Sequence, residues 1–175
     1  MGKLVEFVRR RPAFRWRPAR FGLVPALVVA IVLATVVAGL AWWGNHRAAQ
    51  RDTAVRQALA TAPAAAKAIF SYDYRAFDDS VANGRTFATG SFAQEYAQTT
   101  AALKQTATKQ QAVVAAEVSS TGVVTATADR VELLVYLNQY RRNVTTAGEK
   151  VDQNRVVLTL VPVDGDWKVA RATAV

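Results

Sequence analysis

Residues 21–44 contain no Asp, Glu, Lys, Arg or His, and twelve of these 24 positions are Leu, Ile, Val or Phe. Nothing else in the chain narrows its fold as much. A helix rising 1.5 Å per residue would carry this stretch about 36 Å, enough to cross a hydrocarbon core about 30 Å thick. At roughly −0.3 to −0.6 kcal/mol for each large apolar side chain, the run favours insertion by about 5 kcal/mol, and no charge opposes it. Phe21, Leu27, Ile31, Leu33 and Leu40 are among its anchoring side chains. Pro25 falls in the first turns, where a missing N–H costs little. The stretch reads as one transmembrane helix.

Its direction follows from the flanks. Residues 1–20 hold Lys3, Arg9, Arg10, Arg11, Arg15, Arg17 and Arg20 against Glu6 alone, whereas the first cations beyond the span are Arg47, Arg51 and Arg56. Basic residues stay on the cytoplasmic side, so the N-terminus is expected inside and residues 45–175 outside, on the plasma membrane. Trp16 on one side, with Trp42 and Trp43 on the other, suit the two interfaces, where an indole keeps its N–H wet. A cleaved signal peptide shares the basic start, and Gly39 and Ala41 are small residues at a peptidase-like spacing. Arg10-Arg11-Pro12-Ala13-Phe14 is also similar to a twin-arginine signal, with the Phe one position late. The apolar run exceeds the roughly 7–15 residues of a secretory core, which favours a retained anchor.

The formal net charge of +9 divides unevenly: residues 1–20 carry +6 and residues 45–175 carry +3. The high pI therefore belongs mainly to a tail suited to orientation and to anionic headgroups. No basic helix or aromatic RNA-binding signature follows, so nucleic acid is not an expected partner. There is no cysteine, which excludes disulfides and thiolate chemistry outside the membrane. Four regions are expected: a cytoplasmic tail at 1–20, the span at 21–44, a juxtamembrane helix at 45–70 and an extracytoplasmic domain at 71–175.

In the tail, Leu4, Phe7 and Val8 have helical spacing, though a disordered basic segment accounts for it equally. Val55, Leu59, Ala62, Ala66 and Ile69 share one helical face, with Pro63 expected to break the helix near Thr61. The stripe is too weak for a coiled coil, so packing on the domain's own sheet is expected, with a homo-oligomer left open. Asp73 suits an N-cap, Asn83-Gly84 a turn, and Ser91-Phe92-Ala93-Gln94 a capping box for a helix carrying Phe92, Tyr96 and Leu103. From residue 112 the texture is extended: 112–119 and 123–127 with a bulge at Thr121-Gly122, then 131–142, 155–163 and 167–175. Residues 143–152 read as a loop, and Asp164-Gly165 as a hairpin turn. The expected class is α+β: helices on a curved antiparallel sheet of about four strands.

Helices followed by such a sheet, ending in Val163-Asp164-Gly165-Asp166-Trp167-Lys168-Val169, resemble the nuclear transport factor-like (cystatin-like) fold. A basic tail, one anchor and this domain are also similar to the bridging scaffold subunit of type IV secretion systems. Ser71-Tyr72-Asp73-Tyr74-Arg75, Thr89-Gly90-Ser91-Phe92-Ala93-Gln94-Glu95-Tyr96, Thr108-Lys109-Gln110-Gln111, Ala128-Asp129-Arg130, Asn138-Gln139 and Val151-Asp152-Gln153-Asn154-Arg155-Val156 occur in order. Through them the chain resembles the Mce-associated membrane proteins of mycobacteria and related actinomycetes. That resemblance implies an accessory role beside Mce lipid- or sterol-import complexes and their permease subunits. It brings no catalytic motif.

Chemistry-bearing patterns are few. His46 is the only histidine and has no carboxylate pattern around it, which favours an interfacial role over metal binding. Asp78 and Asp79 are adjacent and diverge on a helix. No phosphate loop, nucleophile elbow or metal-ligand cluster occurs, so no cofactor and no metal are expected. Enzymes on the resembled fold use a Tyr and an Asp in a cavity, but Tyr72, Tyr74, Tyr96, Tyr136 and Tyr140 read better as core aromatics, and no enzyme is expected. Asp152-Gln153-Asn154-Arg155, with Tyr72, Asp73 and Tyr74, reads as a structural network, with Arg155 in a fixed ion pair and Asp152 or Asn154 bonding loop backbone, or as a docking surface. A cavity lined by Phe70, Phe77, Phe92, Leu103 and Val135 would make the domain a lipid-binding module.

Overall fold

The computed structural model describes residues 22–175. The expected cytoplasmic tail, its six orienting arginines (Arg9, Arg10, Arg11, Arg15, Arg17, Arg20), Trp16 and Phe21 lie outside the described residues. The chain divides into two units between Trp43 and Gly44. Helix α1 (Leu23–Phe70) contributes to both.

In the first unit, every side chain described in α1 is exposed, including Leu27, Ile31, Leu33, Leu40, Trp42 and Trp43. The most apolar part of α1 has a mean hydropathy of 2.6, with none of it buried. It is long and apolar enough to cross a membrane. The core helix of a soluble domain would hide one side, and this one hides none. Thr35 satisfies its hydroxyl locally, donating to the carbonyl oxygens of Ile31 (3.1 Å) and Val32 (2.8 Å).

The second unit is α+β. After α1 come β1 (Tyr72–Asp73), a 3-10 turn (Tyr74–Ala76), α2 (Phe77–Thr86), α3 (Gly90–Gln110), β2 (Val113–Ala126), β3 (Val131–Arg142), β4 (Lys150–Val163) and β5 (Asp166–Ala174). The strands form one antiparallel sheet in chain order, β1-β2-β3-β4-β5. Five strands form rather than four, because the brief β1 pairs Tyr72 with Val114 and Asp73 with Val113. Strand periodicity buries Val131, Leu133, Val135 and Leu137 of β3 with Val156, Leu158 and Leu160 of β4. Against them lie Ala54, Ala58, Ala62, Ala65, Ala66 and Ile69 of α1 with Phe92 and Tyr96 of α3. The stripe packs on the domain's own sheet.

Several local expectations change. α1 continues through Pro63 instead of restarting after Thr61. Pro63 itself is exposed, and the buried alanines on either side hold the helical path despite the lost N–H donor. The buried stripe is also turned slightly, leaving Val55 and Leu59 half-buried at its margin. Asn83-Gly84 is no turn: both residues sit in α2. A Cβ at position 84 would lie 2.2 Å from the Tyr96 hydroxyl oxygen and 2.9 Å from the Ala68 carbonyl oxygen, so close helix packing selects glycine there. Ser91 is a first-turn residue rather than a cap; Thr89 is the N-cap and makes no side-chain capping bond. Asp73 caps the 3-10 turn, accepting from the Arg75 N–H.

The irregularities of β2 flank Thr121-Gly122, with register shifts between Val118 and Ser120 and between Val123 and Thr125. β4 begins at Lys150, so the polar end of the expected 143–152 loop is strand. The Asp164-Gly165 hairpin forms, with positive φ at both residues (53° and 91°), the backbone such two-residue turns require. Two bonds pin the α2–α3 connection to β5: the Thr89 N–H donates to the Val169 carbonyl (2.9 Å) and the Val169 N–H to that of Phe87 (2.7 Å). The Trp167 indole N–H donates to Gln57 of α1 (2.9 Å).

Candidate functional site

Strand alternation divides the Asp152-Gln153-Asn154-Arg155 run between two faces of the sheet. β4 pairs in unbroken register with β3: Gln139 opposite Asp152, Asn138 opposite Gln153, Leu137 opposite Asn154 and Tyr136 opposite Arg155. Leu137 and Val135 are buried under the helices, so Asp152 and Asn154 fall on the helix side, with Gln153 and Arg155 on the other.

The helix-side half is structural. Asp152 forms a hydrogen-bonded ion pair with Arg141, and Lys150 lies 3.7 Å away. The hydrogen bond from Arg141, with its charge, holds the Asp152 carboxyl below the ordinary carboxylate range. Asn154 donates to the Gln139 side-chain oxygen (2.6 Å), and the Gln139 amide donates to the Phe70 carbonyl (3.2 Å). The chain of bonds ends on a carbonyl at the C-terminus of α1, a group that has no partner within the helix. Bonds to side chains across the sheet thus replace the expected bonds to loop backbone. Gln139 and Arg141 are members that sequence reasoning missed, since only register puts Gln139 opposite Asp152 and Arg141 diagonal to it, opposite Lys150.

The other half is unengaged. Arg155 makes no ion pair or side-chain hydrogen bond among the described residues, contrary to the expected fixed pair; its guanidinium lies 5.8 Å from the centre of the Tyr136 ring. Among the described residues the side-chain amides of Asn138 and Gln153 also have no hydrogen-bond partner. With Ser119, these residues line a notch of about 310 Å³. Ser119 is the surplus residue of the first β2 bulge, and its hydroxyl donates to the Tyr136 carbonyl (3.2 Å). Exposed Val151 and half-exposed Leu134, Tyr140 and Val157 occupy the same face, and among the described residues no helix covers it.

Tyr72, Asp73 and Tyr74 stay together at β1, apart from the notch. Tyr72 meets Phe77 edge to face (5.6 Å), and its burial raises the phenol pKa against a smaller opposing effect of Arg141. Asp73 is forked by Arg75 (2.7–3.2 Å), whose hydrogen bonds hold its carboxyl low. Arg75 also lies over Tyr74 at 5.7 Å. Asp78 pairs with Lys104 of α3 (2.6 Å), and His46 contacts Gln50 (3.2 Å). Among the described residues no group of three or more His, Asp or Glu side chains is placed to hold a metal.

A second concavity of about 370 Å³ lies between the helices and the sheet. Phe70, Phe77, Phe92 and Leu103 line it with Tyr72 and Tyr96. Val135 does not; it is fully buried beneath the helices.

The fold is one that components of type IV secretion systems also adopt. An IcmL-like type IV secretion system protein from Legionella pneumophila superposes with a TM-score of 0.54 at 17% identity, covering 65% of this chain and 88% of that one. CagV, a VirB8 homolog of the Helicobacter pylori system, gives 0.55 at 10% identity, covering 66% and 93%. A periplasmic fragment of TraM gives 0.51 at 12% identity, covering 68% and 95%. At these identities the likeness is one of fold. No protein-family model matches the chain. Two uncharacterized proteins of Mycobacterium tuberculosis, MT1407 and Rv1362c, are each 28% identical over 166 residues, which cover 91% of this chain and 75% of each relative.

Proposed function

We propose that this chain is a single-pass membrane protein whose outer domain is a non-catalytic scaffold for other proteins of an envelope-spanning transport machine. In this reading residues 1–20 lie in the cytoplasm, 21–44 span the plasma membrane, and 45–70 lead to a docking domain at 71–175. The observation that carries it is a fold shared with two type IV secretion system proteins and a periplasmic fragment of TraM over about two-thirds of the chain, preceded by an apolar helical stretch with no buried side chain. The form of the complex follows the bridging-scaffold reading, which the fold likeness supports better than an Mce lipid-import accessory. The Mce reading rests on the ordered sequence pieces, with which the mycobacterial source of the relatives agrees.

Cross-linking of the full chain at native expression, with mass-spectrometric identification of its partners, tests the proposal. Recovery of secretion-system subunits supports the bridging form, and recovery of Mce or permease subunits supports the lipid-import form. Recovery of no membrane-complex subunit overturns both.

The apolar cavity favours a second reading, in which the domain holds an acyl chain or sterol. Native mass spectrometry of the full chain released from detergent would then show a retained lipid mass, lost when Phe92 and Leu103 are replaced by tryptophan. A protein carrying no lipid sinks this reading.

A further inference from the structure

The uncovered sheet face carries a recognition element of definite chemistry. Three polar groups line one notch with no ion pair or side-chain hydrogen bond among the described residues: the Arg155 guanidinium and the amides of Asn138 and Gln153. The bulge residue Ser119 lines the notch beside Tyr136, whose carbonyl its hydroxyl bonds. The Tyr136 ring lies 5.8 Å from the guanidinium, within cation–π reach. A guanidinium with no ion pair among the described residues, beside two amides, matches a carboxylate, which accepts two parallel N–H bonds and leaves lone pairs for amide donors.

The surroundings select the kind of carboxylate. Leu134, Tyr140, Val151 and Val157 offer apolar contact on the same face, while Lys168 and Arg171 of β5 extend its positive charge. Of the acidic residues there, Glu132 accepts from Thr125 and Glu149 pairs with Arg142, while Glu117, opposite Asn138 on β2, is exposed on the β2 side of the notch, across the sheet from Arg155 on β4. A volume of about 310 Å³ admits one or two side chains. Aromatic and arginine side chains together in a partly enclosed patch are what anchor protein interfaces.

We propose that the outer face of the sheet, centred on Arg155, Tyr136, Asn138 and Gln153, docks a partner protein through an Asp or Glu side chain flanked by apolar residues. This inference rests on the scaffold reading and names the surface and partner chemistry that reading leaves open.

The test places a photo-reactive benzophenone amino acid at Gln153 of the full chain in its native membrane, with a control probe at Arg56 on α1. Adduct peptides are identified by mass spectrometry. The expected adduct from position 153 lies on another protein, within a few residues of an Asp or Glu. Its yield falls by about ten-fold or more in Arg155→Glu and Tyr136→Ala, at unchanged protein level. Exchanging the mapped acidic residue for arginine restores the adduct of Arg155→Glu and abolishes that of the wild type. An adduct indifferent to Arg155→Glu, one on lipid, or one on a second copy of this chain overturns the proposal. Partners trapped from position 56 with none from 153 overturn this surface while leaving the scaffold reading standing. No protein adduct from either position overturns both.

Discussion

Single residues here are chosen by neighbours that sequence distance conceals. Gly84 stands in a dipeptide that reads as a turn, yet it lies within α2 with Tyr96 of the next helix against it. Gly84→Ala should therefore lower stability by about 1–3 kcal/mol despite alanine's better helix propensity. Chemical denaturation of the full chain in detergent measures this, and adding Tyr96→Phe, which removes the atom met at 2.2 Å, should recover part of the loss. Ala62 is fully buried in α1 at its approach to the sheet. Ala62→Leu should cost a similar 1–3 kcal/mol by overpacking, whereas a change at exposed Ala64 should stay within about 0.5 kcal/mol. The alanine stripe was legible as a helical face. Its exact phase and the reason for Gly84 were not, because both depend on which atoms lie opposite in space.

At the scale of the element, period-two alternation decides what the most unusual polar run does. As a string, Asp152-Gln153-Asn154-Arg155 looks like one feature. As strand, it contributes two residues to a bonded network on the helix side of the sheet, at its solvent-exposed end, and two to the opposite face. Polarity through residue 152 masked the start of β4, and the Ser119 bulge that lines the notch has no composition signal at all. The network makes a pH prediction. The Asp152 carboxyl is held below its unfolded value, about 3.9, so its stabilising contribution is fully present above that value. It is lost as pH falls through the lower folded value. Asp152→Asn should thus melt below the wild type at pH 7, and the gap in Tm should close on acidification below about pH 4. The pair is partly exposed, so added salt should narrow the gap as well.

At the scale of the whole molecule, the apolar segment and the order of helices before strands were readable directly, since both are patterns of period and composition. The fifth strand was not, because β1 is two residues long and exists only by pairing with β2. The absence of native cysteine makes the proposed topology simple to test. Single Ala13→Cys and Asn143→Cys variants, treated in intact cells with a membrane-impermeant maleimide, should be labelled at 143 and not at 13. The opposite pattern inverts the orientation. The sheet itself runs in chain order, each strand hydrogen-bonded to the strand before it. A polypeptide threaded outward from its N-terminal end therefore presents every new strand to a template already delivered. The last to emerge, β5, closes the domain by gripping Gln57 and the α2–α3 connection. Such a domain can mature during export, without waiting for a distant segment to complete its sheet.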